Sequence, residues 1–302
     1  MRLSTTTSLF GFDENGKRPT PFERIRGCAK AGFKVIHLSL AESKRDEDHP
    51  LNGDQWEKFI DEVGNLAAEL GVEIAQVHLP YYTLSDPMYT DPAGRAHFDR
   101  AMFRSIHASS VLGVKWAIAH TNQEISEQMF APQLKAANMA YNAQFVEAAK
   151  KAGVGICFEN MMPNAKLGSY NRYPVTHWEL IDFVDSWNDP AVGICWDFGH
   201  ANACYPDQSI PLRAIGKRLK TVHIQDNYGE SDMHYAPFQG TTDWERAIQG
   251  LVDIDYEGDL TLEAAPYRDD CPMAVQHIAA KFTFEIGCYL LDMYEAKLKQ
   301  RG

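Results

Sequence analysis

Six successive apolar segments of the chain each end in, or close to, a histidine or a carboxylic acid. In order along the sequence, these residues are His78, His120, Glu159, Asp197, His223 and Glu263. A single buried group of this kind is usually paired within the core, because an unpaired one costs several kcal/mol. Six at the same end of consecutive segments are better explained as one converging cluster. Converging carboxylates and imidazoles need a cation, and this mixed ligand set suits Mn²⁺, Mg²⁺, Co²⁺ or Zn²⁺.

Further acidic and histidine residues follow two of these positions. His200 comes three residues after Asp197, about one helical turn beyond it. After His223, a polar loop with a glycine carries Asp232 and His234, and we expect this loop to return over the cluster. The other histidines are interpreted as ordinary surface or core residues: His37, His49, His97, His107, His177 and His277. Of these, His37 fits that interpretation least well, because it lies in the second predicted strand.

The elements that would position the cluster are eight short, Val/Ile-rich apolar segments. They are Arg2–Thr6, Lys34–Leu40, Glu73–His78, Val114–His120, Gly155–Glu159, Val192–Asp197, Thr221–Gln225 and Asp259–Glu263. The apolar residues run continuously instead of alternating, which is typical of parallel strands buried on both faces. We therefore predict eight parallel strands.

Amphipathic segments separate these strands and predict helices. The predicted helices are Pro21–Ala31, Asp54–Leu70, Phe98–Leu112, Gln133–Ala152, Thr176–Val184, Ile210–Leu219, Asp243–Val252 and Met273–Lys299. Gly71, Gly113 and Gly153 follow three of them, where helices commonly end. Eight strand-then-helix units predict an α/β fold, a single (β/α)₈ TIM barrel over residues 1–302. An open doubly wound sheet is disfavoured because no G-x-G-x-x-G motif follows the first strand.

In such a barrel, the carboxyl ends of the strands form the active-site face. The two longest irregular segments, Pro80–Arg95 and Asn160–Pro174, directly follow strands. We expect them to be loops at the mouth that cover a substrate. The amphipathic C-terminal segment Met273–Gly302 is predicted to close the barrel more than to form a subunit interface.

The composition argues against several classes of function. The net charge is −12 and no run of lysine or arginine occurs, so extended contact with nucleic acid is not expected. No segment reaches the ~18 apolar residues of a membrane helix, and the N-terminus lacks a signal-peptide core. The cysteines form no C-x-x-C pair, which suits a reducing cytoplasm. They are Cys28, Cys157, Cys195, Cys204, Cys271 and Cys288, with Cys157 and Cys195 predicted as small core residues.

Several short motifs, taken in order, resemble the xylose isomerase-like barrels, which include sugar isomerases and epimerases and the endonuclease IV type of repair enzyme. The motifs are Phe158-Glu159-Asn160, Asp197-Phe198-Gly199-His200-Ala201-Asn202, His223-Ile224-Gln225-Asp226, Asp232-Met233-His234 and Gly240-Thr241-Thr242-Asp243-Trp244. Each motif alone is weakly specific. The resemblance covers nearly the whole chain.

The resemblance implies the site residues of a ketose 3-epimerase. The implied metal ligands are Glu159, Asp197, His223 and Glu263. Glu159 and Glu263 would also act as acid and base on opposite faces of the sugar. The residues expected to bind substrate are His78, His120, His200, Asp232 and His234. A cation that chelates the carbonyl and a neighbouring hydroxyl would stabilise the enediolate formed on deprotonation.

Two departures separate this chain from the ketose 3-epimerases. The ketose 3-epimerases that this chain resembles have a substrate-binding glutamate and a substrate-binding arginine at positions that correspond to shortly after Glu159 and shortly after His223. In this chain, the segments Asn160–Asn164 and Asn227–Gly229 contain neither residue. Recognition of a free ketose in the manner of those enzymes is therefore not expected.

Three alternatives stay open. Some relatives eliminate the aglycone from 3-oxo-glycosides with the same metal and a small partner subunit. The endonuclease IV group cleaves DNA at abasic sites with three zinc ions, and its additional ligands match His78, His120, Asp232 and His234. The acidic charge argues against DNA, because DNA affinity depends on contacts between cations and phosphates. A non-enzymatic binding module would have no use for two opposed glutamates.

The sequence thus predicts a cytoplasmic, divalent-metal-dependent sugar isomerase or epimerase that abstracts a proton next to a carbonyl. The expected cofactor is a divalent metal ion, foremost Mn²⁺, with Co²⁺, Mg²⁺ and Zn²⁺ also compatible. The expected partner is a small sugar, and neither nucleic acid nor a membrane is expected. A homo-oligomer is left open.

Overall fold

Eight parallel strands close into a barrel in which each strand pairs with its neighbours in sequence and β8 pairs with β1. The strands of this computed structural model are β1 Leu3–Thr6, β2 Val35–Ser39, β3 Glu73–His78, β4 Trp116–Ala119, β5 Gly155–Glu159, β6 Val192–Asp197, β7 Leu219–Ile224 and β8 Leu260–Leu262. The residues described are 1–44, 46, 48–81, 91–121, 131–163, 172–265, 267 and 270–301. The predicted single TIM barrel is confirmed.

Helices surround the barrel and connect the strands. They are α1 Pro21–Ala31, α2 Trp56–Leu70, α3 Pro92–Val111, α4 Ala131–Lys151, α5 His177–Asp185, α6 Phe198–Asn202, α7 Ser209–Ile215, α8 Trp244–Asp253 and α9 Met273–Arg301. Thr20 and Thr176 begin α1 and α5 with capping boxes, in which the hydroxyl accepts a backbone N–H and a glutamate returns the bond. None of the described helices combines the length and apolar content needed to cross a bilayer.

The apolar core lies mainly between the strands and the helices. Its largest fully buried side chains include Phe98, Phe145 and Phe183 from helices and Phe158 and Trp196 from strands. A smaller cluster of Ile118, Cys157 and Cys195 forms a separate group, with Trp116 packed against it. Cys157 and Cys195 are therefore core residues, as predicted.

Helix α9 closes the ring as predicted, because it packs against α1, α8 and strands β1 and β8. The boundaries of most elements agree with the sequence prediction within about two residues. Helix α3 begins six residues earlier than predicted, at Pro92, where Asp91 accepts backbone N–H bonds as its N-cap. The short helix α6 was not predicted. Residues 82–90 and 164–171 of the two predicted mouth loops lie outside the described residues.

Candidate active site

Four side chains from consecutive strands converge at the carboxyl end of the barrel. Glu159 and Asp197 end β5 and β6, His223 is the last residue but one of β7, and Glu263 directly follows β8. One ligand atom from each lies within 4.8 Å of the others. Nδ1 of His223 is 3.1 Å from Oε2 of Glu159 and 2.7 Å from Oε2 of Glu263. The structure thus brings together the four residues expected to bind a metal.

Burial and the surrounding imidazoles control the charge of this quartet. Burial alone would raise the pKa of Glu159, but the facing His223 and His120 hold that pKa well below its usual range. Burial also acts on Glu263, and His223 more than offsets it, so the pKa of Glu263 is lowered. Burial raises the pKa of Asp197 to about 7, against the opposing effect of His200. The two glutamates are therefore held in the ionised form needed for ligands or bases.

The donor atoms of the quartet fit a divalent cation. Four of its buried polar atoms make no well-directed hydrogen bond within the described part of the chain, although Nδ1 of His223 lies close to both glutamates. They are Oε2 of Glu159, Oδ2 of Asp197, and Nδ1 and Nε2 of His223. A buried polar atom left unpaired costs roughly 1–3 kcal/mol, so such atoms in a native site call for a partner. Carboxylate oxygens with one imidazole nitrogen are ligands that divalent metals accept. This cluster could therefore hold a metal ion.

Asn160 and α6 fix the position of Asp197. The Asn160 amide donates to the carbonyl of Asp197 (2.9 Å), and the backbone N–H of Asp197 donates to Oδ1 of Asn160 (2.7 Å). Asp197 is also the N-cap of α6, since its Oδ1 accepts the N–H of His200 at 2.6 Å. Only Oδ2 of Asp197 is left to face a cation. The unpredicted short helix thus orients a predicted ligand.

A chain of imidazoles and carboxylates forms one wall of the site. Oδ2 of Asp232 lies 3.1 Å from Nε2 of His200 and 3.2 Å from Nε2 of His234. Nδ1 of His234 lies 2.9 Å from the carbonyl oxygen of Glu263. The Gln225 amide donates to Oδ1 of Asp232 at 2.5 Å. The loop after β7 therefore returns over the cluster, as the sequence suggested.

His78 and His120 form another part of the wall. Nε2 of His120 is 3.3 Å and Nε2 of His78 is 3.8 Å from Oε2 of Glu159, and the three residues form a second group that could hold a cation. Nδ1 of His78 lies 2.8 Å from the carbonyl oxygen of Leu79 and donates to it, which turns Nε2 toward the site. The Tyr81 ring stacks on His120 with centroids 4.3 Å apart. All five residues expected to bind substrate therefore line one cavity.

That cavity has a volume of about 590 Å³, within the usual range for small-molecule sites. Several of its lining residues were missed by the sequence analysis, namely Phe12, Arg18, Glu42, Lys44 and Tyr81. They lie on segments that follow β1, β2 and β3. These residues belong to no recognisable motif. The sequence indicates them only by their position shortly after a predicted strand.

His37 is a further residue of the site that the sequence analysis left among ordinary residues. It is fully buried, and its ring stacks on His223 and His78 with centroids 5.0 and 5.6 Å away. Neither of its ring nitrogens has a hydrogen-bond partner among the described residues. Burial holds its pKa well below the usual range, so His37 is a neutral ring packed against the histidines of the cluster.

Comparison with known proteins agrees with this architecture. A family model described as "xylose isomerase-like TIM barrel" matches residues 25–280. An uncharacterised protein of Methanocaldococcus jannaschii is 33% identical over 134 residues, which is 44% of both chains. A D-psicose 3-epimerase of Enterocloster bolteae is 33% identical over 98 residues, 32% of this chain and 31% of that protein. The aligned part of the chain thus spans less than half the length of these relatives.

Among solved structures, a D-tagatose 3-epimerase-like protein superimposes over nearly the entire chain. The TM-score is 0.75, and the match covers 99% of this chain and 100% of the other, with 20% sequence identity. At that identity, the likeness establishes a shared fold.

Proposed function

This chain belongs to the xylose isomerase-like TIM barrel family, and from that membership we propose that it is a divalent-metal-dependent sugar isomerase or epimerase. The observation that carries the proposal is the quartet of buried ligands, in which two glutamates face one cavity from β5 and β8. The relative named as a D-psicose 3-epimerase and the solved structure described as a D-tagatose 3-epimerase-like protein support the same class of reaction.

In this proposal Glu159, Asp197, His223 and Glu263 hold the cation. When bound, the cation supplies a positive charge that stabilises an enediolate next to the sugar carbonyl. Three carboxylates and one imidazole form a largely oxygen-based site, which favours Mn²⁺ and also accepts Co²⁺, Mg²⁺ or Zn²⁺.

Glu263 and Glu159 are the proposed acid–base pair. In the free protein, facing imidazoles hold each in its carboxylate form, and each borders the cavity. One carboxylate would remove the proton from the carbon next to the carbonyl. The other would first take up a proton from solvent and then give it to the opposite face, which inverts that carbon; loss of the abstracted proton to solvent restores the first carboxylate. Both carboxylates contact the same imidazole, which supports a role for the two as a pair.

The histidines and the aspartate on the walls are proposed to bind sugar hydroxyls. His200, Asp232 and His234 are linked in series, and His78 and His120 contact each other next to Glu159. Imidazole nitrogens and carboxylate oxygens are suited to hydroxyl groups, since one donates and the other accepts. These contacts would orient the reacting carbon between the two glutamates.

The second group of His78, His120 and Glu159 favours one alternative, a phosphodiesterase of the endonuclease IV kind with more than one cation. Metal content separates the two functions. Protein purified without chelator and analysed for elements should carry about one manganese, cobalt or magnesium ion per chain if it acts on sugars. Two or three zinc ions per chain would instead favour the phosphodiesterase.

The direct test is proton exchange. The protein loaded with Mn²⁺ is incubated in D₂O with a panel of ketoses and 3-oxo-glycosides, and deuterium at the carbon next to the carbonyl is followed by NMR. We expect exchange on at least one sugar, together with conversion to its epimer or isomer. Release of an aglycone would indicate the eliminating branch of the family. The absence of exchange on every member of the panel would contradict the proposal.

A further inference from the structure

A thiol lies directly beneath the proposed metal centre. Cys195 is on β6, two residues before Asp197, and pairs in register with Glu159 on β5 and Thr221 on β7. Its side chain is fully buried, together with Cys157 and Ile118. The thiols of Cys195 and Cys157 therefore lie inside the barrel, on the side of the quartet that faces away from the cavity.

The distances bring this thiol within the reach of a cation. Sγ of Cys195, a carboxylate oxygen of Glu159 and a ring nitrogen of His223 all lie within 4.8 Å of one another. His223 offers two ring nitrogens, both fully buried, and its imidazole and the Cys195 thiol are within hydrogen-bonding reach of each other. Nδ1 is the nitrogen in contact with the two glutamates. The other nitrogen, Nε2, is on the opposite edge of the ring and is not engaged by them.

We propose that Cys195, Glu159 and His223 form a thiophilic metal position beneath the oxygen-rich quartet, which takes Zn²⁺ or Cd²⁺. Thiolate ligands favour these softer ions, whereas Mn²⁺ and Mg²⁺ favour carboxylates and water. On binding, the thiol loses its proton to solvent and a metal–sulfur bond forms, with no change in oxidation state. The proposal rests on the proposed function only in sharing Glu159 and His223 with its metal centre.

The position would give the protein two binding modes for divalent ions. A hard ion would be held mainly by the carboxylates of the quartet, of which Glu263 borders the cavity. A soft ion is drawn toward Cys195, away from the carboxylate that faces the substrate. Zinc would therefore bind in the same barrel as manganese, but through a different set of ligands.

Cys157 provides a matched control. It is equally buried in the same small cluster, one strand away on β5. Among the described residues, however, it belongs to no group that could hold a cation. Serine replaces a buried sulfur with a hydroxyl in either variant. The two positions differ in register, since Cys195 pairs with Glu159 whereas Cys157 pairs with Gly193.

The experiment is X-ray absorption at the zinc edge on the metal-free full-length protein given one equivalent of Zn²⁺. We expect a zinc–sulfur distance of about 2.3 Å in the native protein and in Cys157→Ser, and its loss in Cys195→Ser. The Zn²⁺ affinity of Cys195→Ser should fall by at least about 10–100-fold, which is the loss seen when a residue that hydrogen-bonds to a metal ligand is removed. Its Mn²⁺ affinity should change little.

Zinc surrounded only by nitrogen and oxygen in the native protein would overturn the proposal by itself, even if Cys195→Ser did not fold. A sulfur signal that persists in Cys195→Ser would also overturn it. Either result leaves the sugar chemistry of the quartet standing. If neither Zn²⁺ nor Mn²⁺ binds the native protein, this inference and the proposed function both fail.

Discussion

The two glutamates of the quartet occupy different surroundings. The Glu159 side chain is only 1% exposed and lies among the imidazoles of His78, His120, His200 and His223. The Glu263 side chain is 14% exposed at the edge of the cavity. Glu263 is therefore the carboxylate more accessible to a substrate, and Glu159 is the more enclosed one.

This difference predicts the effect of Glu263→Gln. The amide keeps a ligand oxygen but cannot accept a proton, so exchange in D₂O should fall by about 10²–10⁴-fold while much of the metal is retained. Exchange is followed by NMR and metal content by elemental analysis. Glu257→Gln, an exposed change that lies away from the quartet, is the control. Normal exchange in Glu263→Gln would remove Glu263 as a base.

At this scale, the sequence predicted the site residues that end strands and missed one that lies inside a strand. Asp197 and Glu159 were identifiable because a charged residue ends an apolar run. His37 was not, because it lies in the middle of β2. A single polar residue inside a buried strand is usually a paired core group, and its position does not show that it packs against a site.

At the scale of elements, a buried carboxylate fixes the loop that follows β7. Asp226 is fully buried and accepts hydrogen bonds from the backbone N–H groups of Gly240 (3.0 Å) and Thr242 (3.1 Å) and from the indole of Trp244 (3.1 Å). Its backbone also pairs with Tyr235. Both ends of the segment that carries Asp232 and His234 are thereby held at one point.

We therefore expect Asp226→Asn to destabilise the protein by about 1.5–3 kcal/mol, because the amide cannot accept all of these bonds and removes the charge that strengthens them. Urea unfolding measures the change. Asp243→Asn, at the N-cap of α8, should cost little because asparagine caps helices as well as aspartate. Equal effects of the two changes would argue against a special role for Asp226.

The elements themselves were largely predictable because strands and long helices carry a strong hydrophobic signal. Strands β3, β5 and β6 were predicted with their observed bounds. The five-residue α6 was missed because it is too short to show a helical period. The short 3-10 helix Pro50–Asn52 before α2 was also not predicted.

At the scale of the whole molecule, a cation that joins β5 to β8 should stabilise the native fold. At about 100 times its dissociation constant, a ligand that binds only the native state adds about 2.7 kcal/mol. For a chain of this size, that corresponds to a rise of roughly 5 °C in the melting temperature. Differential scanning calorimetry with Mn²⁺ and with EDTA tests this expectation. Asp197→Asn keeps the helix cap but loses the charge, so it should reduce the rise in melting temperature that Mn²⁺ causes. If Mn²⁺ raised the melting temperature of Asp197→Asn as much as that of the native protein, Asp197 would be excluded as a ligand.

The acidic charge of the molecule predicts weak contact with DNA. With a net charge of −12, few phosphates can be neutralised, so binding to duplexes that contain an abasic site should be weak and should depend little on salt. Fluorescence anisotropy at two salt concentrations measures both quantities. Tight binding that weakens steeply with salt would shift the assignment to the phosphodiesterase.

The order of the ligands along the chain has a consequence for biosynthesis. Glu159 and Glu263 are 104 residues apart, and β8, which carries the last ligand, must pair with β1 to complete the ring. At typical elongation rates of 5–20 residues per second, a ribosome adds that stretch in roughly 5–20 s. During that interval the nascent chain holds the first part of the cluster without the last. We therefore expect the proposed cation to bind late, after the ring has closed, because the complete set of four ligands does not exist before then.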